Sequence, residues 1–137
     1  MTKRIILLIS NGISERKQAY HQNLSLNLLN ARRMLYETVD GADPTQTVRR
    51  NKLFNISGIR GMYPQWFLAN GDDDIIYIGD WPKISEINDN DDIPAELRSS
   101  ISGLVTWDML FSEVPKADPV TDDHPMKRMG SYRNMYY

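Results

Sequence analysis

Pro64 stands directly ahead of an apolar run in "YPQWFLA", residues 63–69, and no other feature limits the fold so sharply. Proline has no N–H to give to a ladder, so within a sheet it is confined to edges, bulges and the first residue of a strand. Tyr63-Pro64 must open a strand here, and an X–Pro bond at such a place can be cis. The surrounding elements decide which architecture uses it.

Upstream, Arg4 to Ser10 is a short continuous apolar run, the pattern of a central strand covered on both faces. "NGISER" is a turn, with Ser14 the expected N-cap of a helix from Glu15 to about Ala31. On that helix Tyr20, Leu24 and Leu28 fall at i, i+4, i+8, and Leu26 and Leu29 widen the apolar face. "MLYETVD", Met34 to Asp40, reads as the second strand. "DPTQ" then predicts a capping box, with Asp43 as cap, Pro44 at the first helical position and Gln46 at the third. That helix is expected from Pro44 to about Phe54, with Val48, Leu53 and Phe54 inward.

After Pro64, "FLANGDDDIIYIGDW" reads as a hairpin turning at Asn70-Gly71, with the following aspartates able to lengthen the turn. Asp80 is the expected cap of a third helix over "WPKISEIND". The order is β-α-β-α-β-β-α. Its first half needs parallel strands and its second is antiparallel, so the sheet is mixed. With a proline heading the third strand, the thioredoxin-like α/β fold fits, over residues 3–92. Residues 93–137 are a C-terminal extension, with a short helix near Pro94 to Ile101, a stretch around Leu104 to Phe111 that packs back, and a flexible tail from Ser112.

Composition narrows the chemistry. The chain has 137 residues, 41% apolar and 25% charged, which suits one globular domain. A net charge of −2 argues against a nucleic-acid surface. There is no cysteine, so thiol redox chemistry, thiol nucleophiles and thiolate metal sites are excluded. The apolar run Ile5 to Ile9 is too short for a signal core or a membrane span, so a cytoplasmic protein without a membrane partner is expected.

"RIILLIS", the helix from "ERKQ", "MLYETVD", "YPQWF" and "YIGDWPKISEIND" together resemble the Src-homology-3-binding glutamic-acid-rich-like proteins, a glutaredoxin-related branch of the thioredoxin superfamily. The resemblance covers about residues 3 to 92. It implies a non-catalytic adaptor that binds protein partners and needs no cofactor. "NGISER" occupies the place of the glutaredoxin thiol motif. The family's PxxP segment and its glutamate-rich tail have no counterpart in this chain.

The resemblance also sets the candidate groove: Asn11, Tyr63, Pro64, Gly79, Asp80 and Trp81. The backbone of Tyr63 can pair with an extended peptide or glutathione, and the Gly79-Asp80 turn can offer helix N-terminal amides to a carboxylate. Each has a plainer structural role as well: a shaped turn, an N-cap, a lid on the core. An alternative function follows, a glutathione-binding or transferase-like protein in which Ser10, Asn11 or Ser14 holds the sulfur. No catalytic residue and no metal ligand is assigned, because neither His21 nor His124 has a diagnostic spacing. Asp72 to Asp74 and Asp89 to Asp92 read as solvated turns, and Arg32-Arg33 and Arg49-Arg50 as a basic helix surface. In the tail, Lys127, Arg128, Tyr132, Arg133, Tyr136 and Tyr137 can form a docking motif.

Overall fold

Every side chain from Ile5 to Ile9 is removed from solvent, which requires cover on both faces of the strand that carries them. In the computed structural model, which describes residues 2–117, that strand is β1 (Arg4–Ile9). It pairs in parallel with β2 (Tyr36–Asp40) and antiparallel with β3 (Gln65–Ala69), which pairs antiparallel with β4 (Ile75–Gly79). The sheet is open and mixed, in the order β2-β1-β3-β4.

The pleat divides the core in two. Ile5, Leu7, Ile9, Trp66 and Leu68 face α1 (Arg16–Ala31), α3 (Trp81–Asn90) and α5 (Trp107–Phe111) through Leu29, Ile84, Ile87, Trp107 and Phe111. Ile6, Leu8, Val39, Phe67 and Ala69 face α2 (Thr47–Ser57) through Leu53 and Phe54. One short helix, α4 (Ala95–Arg98), lies between α3 and α5.

Helix α1 packs only partly through the expected apolar face: Leu29 is buried and Leu26 and Leu28 pack against the core, but Tyr20 is 62% exposed and the polar Gln22 and Ser25 are buried. This polar face can go inward because its groups find partners. The Gln22 amide accepts from the Ser10 N–H at 2.9 Å and donates to the Ser10 carbonyl at 3.2 Å. The indole N–H of Trp66 donates to the Ser25 hydroxyl at 3.0 Å. Ser14 does not cap this helix; the Glu15 carboxylate does, accepting from the Lys17 and Gln18 amides at 2.7 and 3.1 Å.

The "DPTQ" segment forms only half of the expected box. Asp43 accepts from the Thr45 N–H at 2.9 Å, but its own N–H donates to the Asp40 carbonyl. Pro44–Gln46 is a 3-10 turn, and α2 begins after it. Leu53 and Phe54 go inward as expected, but Val48, five and six residues before them on the same helix, falls on the opposite face and is 82% exposed. Val48→Lys should therefore change stability by no more than about 0.5 kcal/mol in urea denaturation. The β3-β4 turn runs from Asn70, whose N–H donates to the Asp74 carbonyl at 2.8 Å, so the aspartates do lengthen it.

Past residue 92 the chain returns to the core. Asp91 is no solvated turn residue: its carboxylate accepts from the Trp107 N–H at 2.9 Å and from Arg32 at 3.0 Å. Arg32 also donates to Asn88 and lies 4.4 Å over the Trp107 ring, so it belongs to a half-buried clamp and not to a basic edge. Arg49 pairs with Glu37, and Arg50 donates to the Gly41 carbonyl. The first residues of the expected flexible tail, Ser112 to Ala117, are held by backbone pairing. Lys3 donates to the Glu113 carbonyl, Leu35 to Pro115 and Ala117 to Arg33, with Met34 bridged to Lys116. Pro119, His124, Pro125, Lys127, Arg128, Tyr132, Arg133, Tyr136 and Tyr137 lie outside the described residues. Among the described residues, no helix is long and apolar enough to cross a membrane.

Candidate functional site

At the C-terminal end of β1, three elements converge: the first turns of α1, the loop ahead of β3, and the β4-α3 turn. Between them lies a cavity of about 260 Å³.

The loop is held by side chains. The Tyr63-Pro64 bond is cis. Gln65 is buried, and its amide donates to the carbonyls of Ile59 and Met62, both at 2.9 Å, which fixes the loop against the head of β3. Its Oε1 is buried without a partner. The Tyr63 N–H, expected to be open to a ligand, already donates to Gln18 Oε1 at 2.8 Å. The Tyr63 ring packs on Phe54 with centroids 6.0 Å apart and reaches over Gly41.

Both helix N-termini at this end are closed by the chain's own carboxylates. Glu15 caps α1, and Asp80 caps α3 by accepting from the Lys83 N–H at 3.2 Å. The Lys17 and Gln18 amides hold the Glu15 carboxyl below its usual range. Its contribution to stability is therefore present above the ordinary carboxylate value and is lost as pH falls through the lowered one. Gly79 lets α3 turn tightly off β4, since a Cβ there would lie 2.7 Å from Lys83 Cβ and Cγ. Trp81, half-buried, packs against the core while lining the cavity.

Of the six expected groove residues, Tyr63, Pro64, Asp80 and Trp81 line the cavity together. Gly79 supports it from one residue away. Asn11 does not line it and is instead bound to the Asp40 carboxylate through both its N–H at 3.0 Å and its side-chain amide at 2.8 Å. Ser10 is buried with its hydroxyl accepting from the Gly12 N–H, and Ser14 is exposed. Glu15, Lys17, Gln18, His21, Ile59, Met62 and Tyr77 also line the cavity and were not singled out for it. The signal available for the α1 group was polar: Glu15, Gln18 and His21 recur every third residue on the face turned to the proline loop. Among the described residues, no group of three or more metal-ligating side chains occurs.

Burial pushes the hydroxyls of Tyr63 and Tyr77 above the usual tyrosine value, and the charge of Asp80 adds to the rise at Tyr77. Because the folded values are raised, the neutral rings stabilise the fold fully below the ordinary value. That stability is lost as pH climbs through the raised values. Ultraviolet titration of the phenolate band should show two tyrosines ionising later than a free tyrosine, which does so near about pH 10.

No family model, curated protein or solved structure matches this chain.

Proposed function

We propose that this chain is a non-catalytic, thioredoxin-like interaction module of the kind the Src-homology-3-binding glutamic-acid-rich-like proteins represent. Its groove would take an extended segment of a partner protein. The strand order β2-β1-β3-β4 and the proline at the head of β3 support the thioredoxin-like reading.

The observation that carries the functional reading is the self-capping of both helix ends by Glu15 and Asp80. In a redox or glutathione-binding relative, these amides would serve a thiolate or a ligand carboxylate. Here they already have carboxylates, and an anionic tripeptide would meet two more negative charges. The remaining walls, Ile59, Met62, Tyr63, Tyr77 and Trp81, carry the aromatic and methionine character of protein-binding surfaces. The volume, about 260 Å³, lies under the usual small-molecule range of about 300–1,000 Å³. It suits one or two anchoring side chains of a longer segment. With two carboxylates against Lys17, a segment carrying a lysine or arginine beside its apolar anchor fits best.

Selection of displayed random peptides on the purified protein tests this. Enriched sequences should pair a basic residue with an apolar or aromatic one, and their affinity should fall at least about tenfold for Trp81→Ala. Peptides retained equally by Trp81→Ala, or no enrichment at all, would contradict the proposal.

A further inference from the structure

The sheet ends at β4, and this edge carries none of the usual guards. Among the described residues, no strand lies on the outer side of Ile75–Gly79. Asn70 donates to the Asp74 carbonyl at the turn, and hydrogen-bonded pairs alternate along an antiparallel ladder. Ile76 therefore exchanges its backbone bonds with Leu68, its register partner. The N–H and C=O groups of Ile75 and Tyr77 point off the open side, where no described backbone group meets them.

Sheet edges are commonly blunted by lysine, proline or a covering segment. Ile75-Ile76-Tyr77-Ile78 contains neither residue and is β-prone throughout. Ile76 is 51% exposed. The β2 edge differs, because it carries Glu37 and Asp40, bound by Arg49 and Asn11.

Charge decides what can cover the β4 edge. Asp73 and Asp74 precede it and Asp80 follows it, all exposed, and among the described residues none has a cation as partner. A second copy of the chain fits badly. Antiparallel pairing with Tyr77 opposite itself sets Asp74 against Asp80, and parallel pairing sets each aspartate near its own counterpart. A strand with basic residues at both ends meets carboxylates at both ends.

We infer that the β4 edge adds an extended segment of a partner protein as a fifth strand, β-branched in its centre and flanked by lysine or arginine. The backbone groups of Ile75 and Tyr77 supply the pairing, and Ile76 packs beside the segment's apolar side chains. The basic flanks meet Asp73 and Asp74 at one end and Asp80 at the other. This surface does not depend on occupation of the groove, although Tyr77 and Asp80 border both.

Amide NMR of the full chain, titrated with acetyl-Lys-Lys-Thr-Val-Thr-Val-Thr-Lys-Lys-amide, tests the edge. Saturable shifts should appear from Ile75 to Ile78 by about 1 mM. The Ile75 and Tyr77 amides should exchange with solvent at least about tenfold more slowly in the complex. The same peptide N-methylated at every threonine and valine, or with glutamate in place of lysine, should give no saturable shift. Ile76→Lys, at an exposed side chain, should weaken binding at least about fivefold, and so should Asp73→Asn combined with Asp74→Asn. Trp81→Ala should leave it unchanged, which separates this edge from the groove. The proposal is overturned by the absence of those shifts, by equal binding of the methylated or glutamate peptide, or by binding that Ile76→Lys leaves intact. Loss of binding in Trp81→Ala, or a concentration-dependent dimer formed by the protein alone through Ile75 to Ile78, would overturn it as well.

Discussion

Trp107→Ala should cost about 3–5 kcal/mol of stability, the range for removing a fully buried large aromatic. The ring is 2% exposed and sits between Trp66, edge-on at 6.1 Å, and Phe111, 4.4 Å between centroids, under the Arg32 guanidinium. Domains of this size hold about 5–15 kcal/mol in total, so this one substitution takes a large part of it. Its indole N–H is buried without an acceptor, which offsets some of the gain from burial. Trp107→Phe keeps much of the ring and removes that orphan donor, so it should cost far less, about 1 kcal/mol. Urea denaturation of both variants checks the ranking. A chain ended at Asp92 loses Trp107, Phe111 and Val114 from the core together, and should show no cooperative thermal transition.

Gly41→Ala should remove the groove while leaving the sheet intact. An added Cβ would stand 2.8 Å from Tyr63 Cζ and 2.9 Å from Cε1, closer than real contacts allow. The ring must leave its seat on Phe54, and with it goes one wall of the cavity. Overpacking of this kind costs about 1–3 kcal/mol, and peptide binding should be lost at the same time. The cause can be isolated by a double-mutant cycle: in a Tyr63→Ala background, Gly41→Ala should cost almost nothing further. A full penalty in that background would place the conflict elsewhere.

The two halves of the sheet were legible because their signals are local. The buried run Ile5 to Ile9, the hairpin at Asn70 to Asp74 and the Asp80 cap each follow from residues close in sequence. On α1 the leucines of the inward face were legible, but its polar members were not, because Gln22 and Ser25 go inside only to meet Ser10 and Trp66, contacts between distant residues. Val48 misled for a different reason: spacings of five and six residues do not share a face with Leu53 and Phe54 at the helical period, so grouping it with them misreads the pattern. The packing back of 104–111 was expected from its apolar residues, but Asp91 holding both Arg32 and the Trp107 N–H was not, because charge runs such as "DNDD" look the same whether solvated or structural. In the groove, the proline loop and the β4-α3 turn announced themselves through Pro64 and Gly79-Asp80. The α1 contribution, Glu15 and Gln18, stayed hidden behind its ordinary helix composition.

The most direct test of the groove is amide NMR titration of the wild-type protein with glutathione. With Glu15 and Asp80 closing the helix ends and Gln18 holding the Tyr63 N–H, the spectrum should stay unchanged up to about 10 mM ligand, a dissociation constant too weak to matter. Saturable shifts confined to Tyr63, Tyr77, Asp80 and Trp81 would contradict a groove reserved for protein segments and would identify a glutathione site instead.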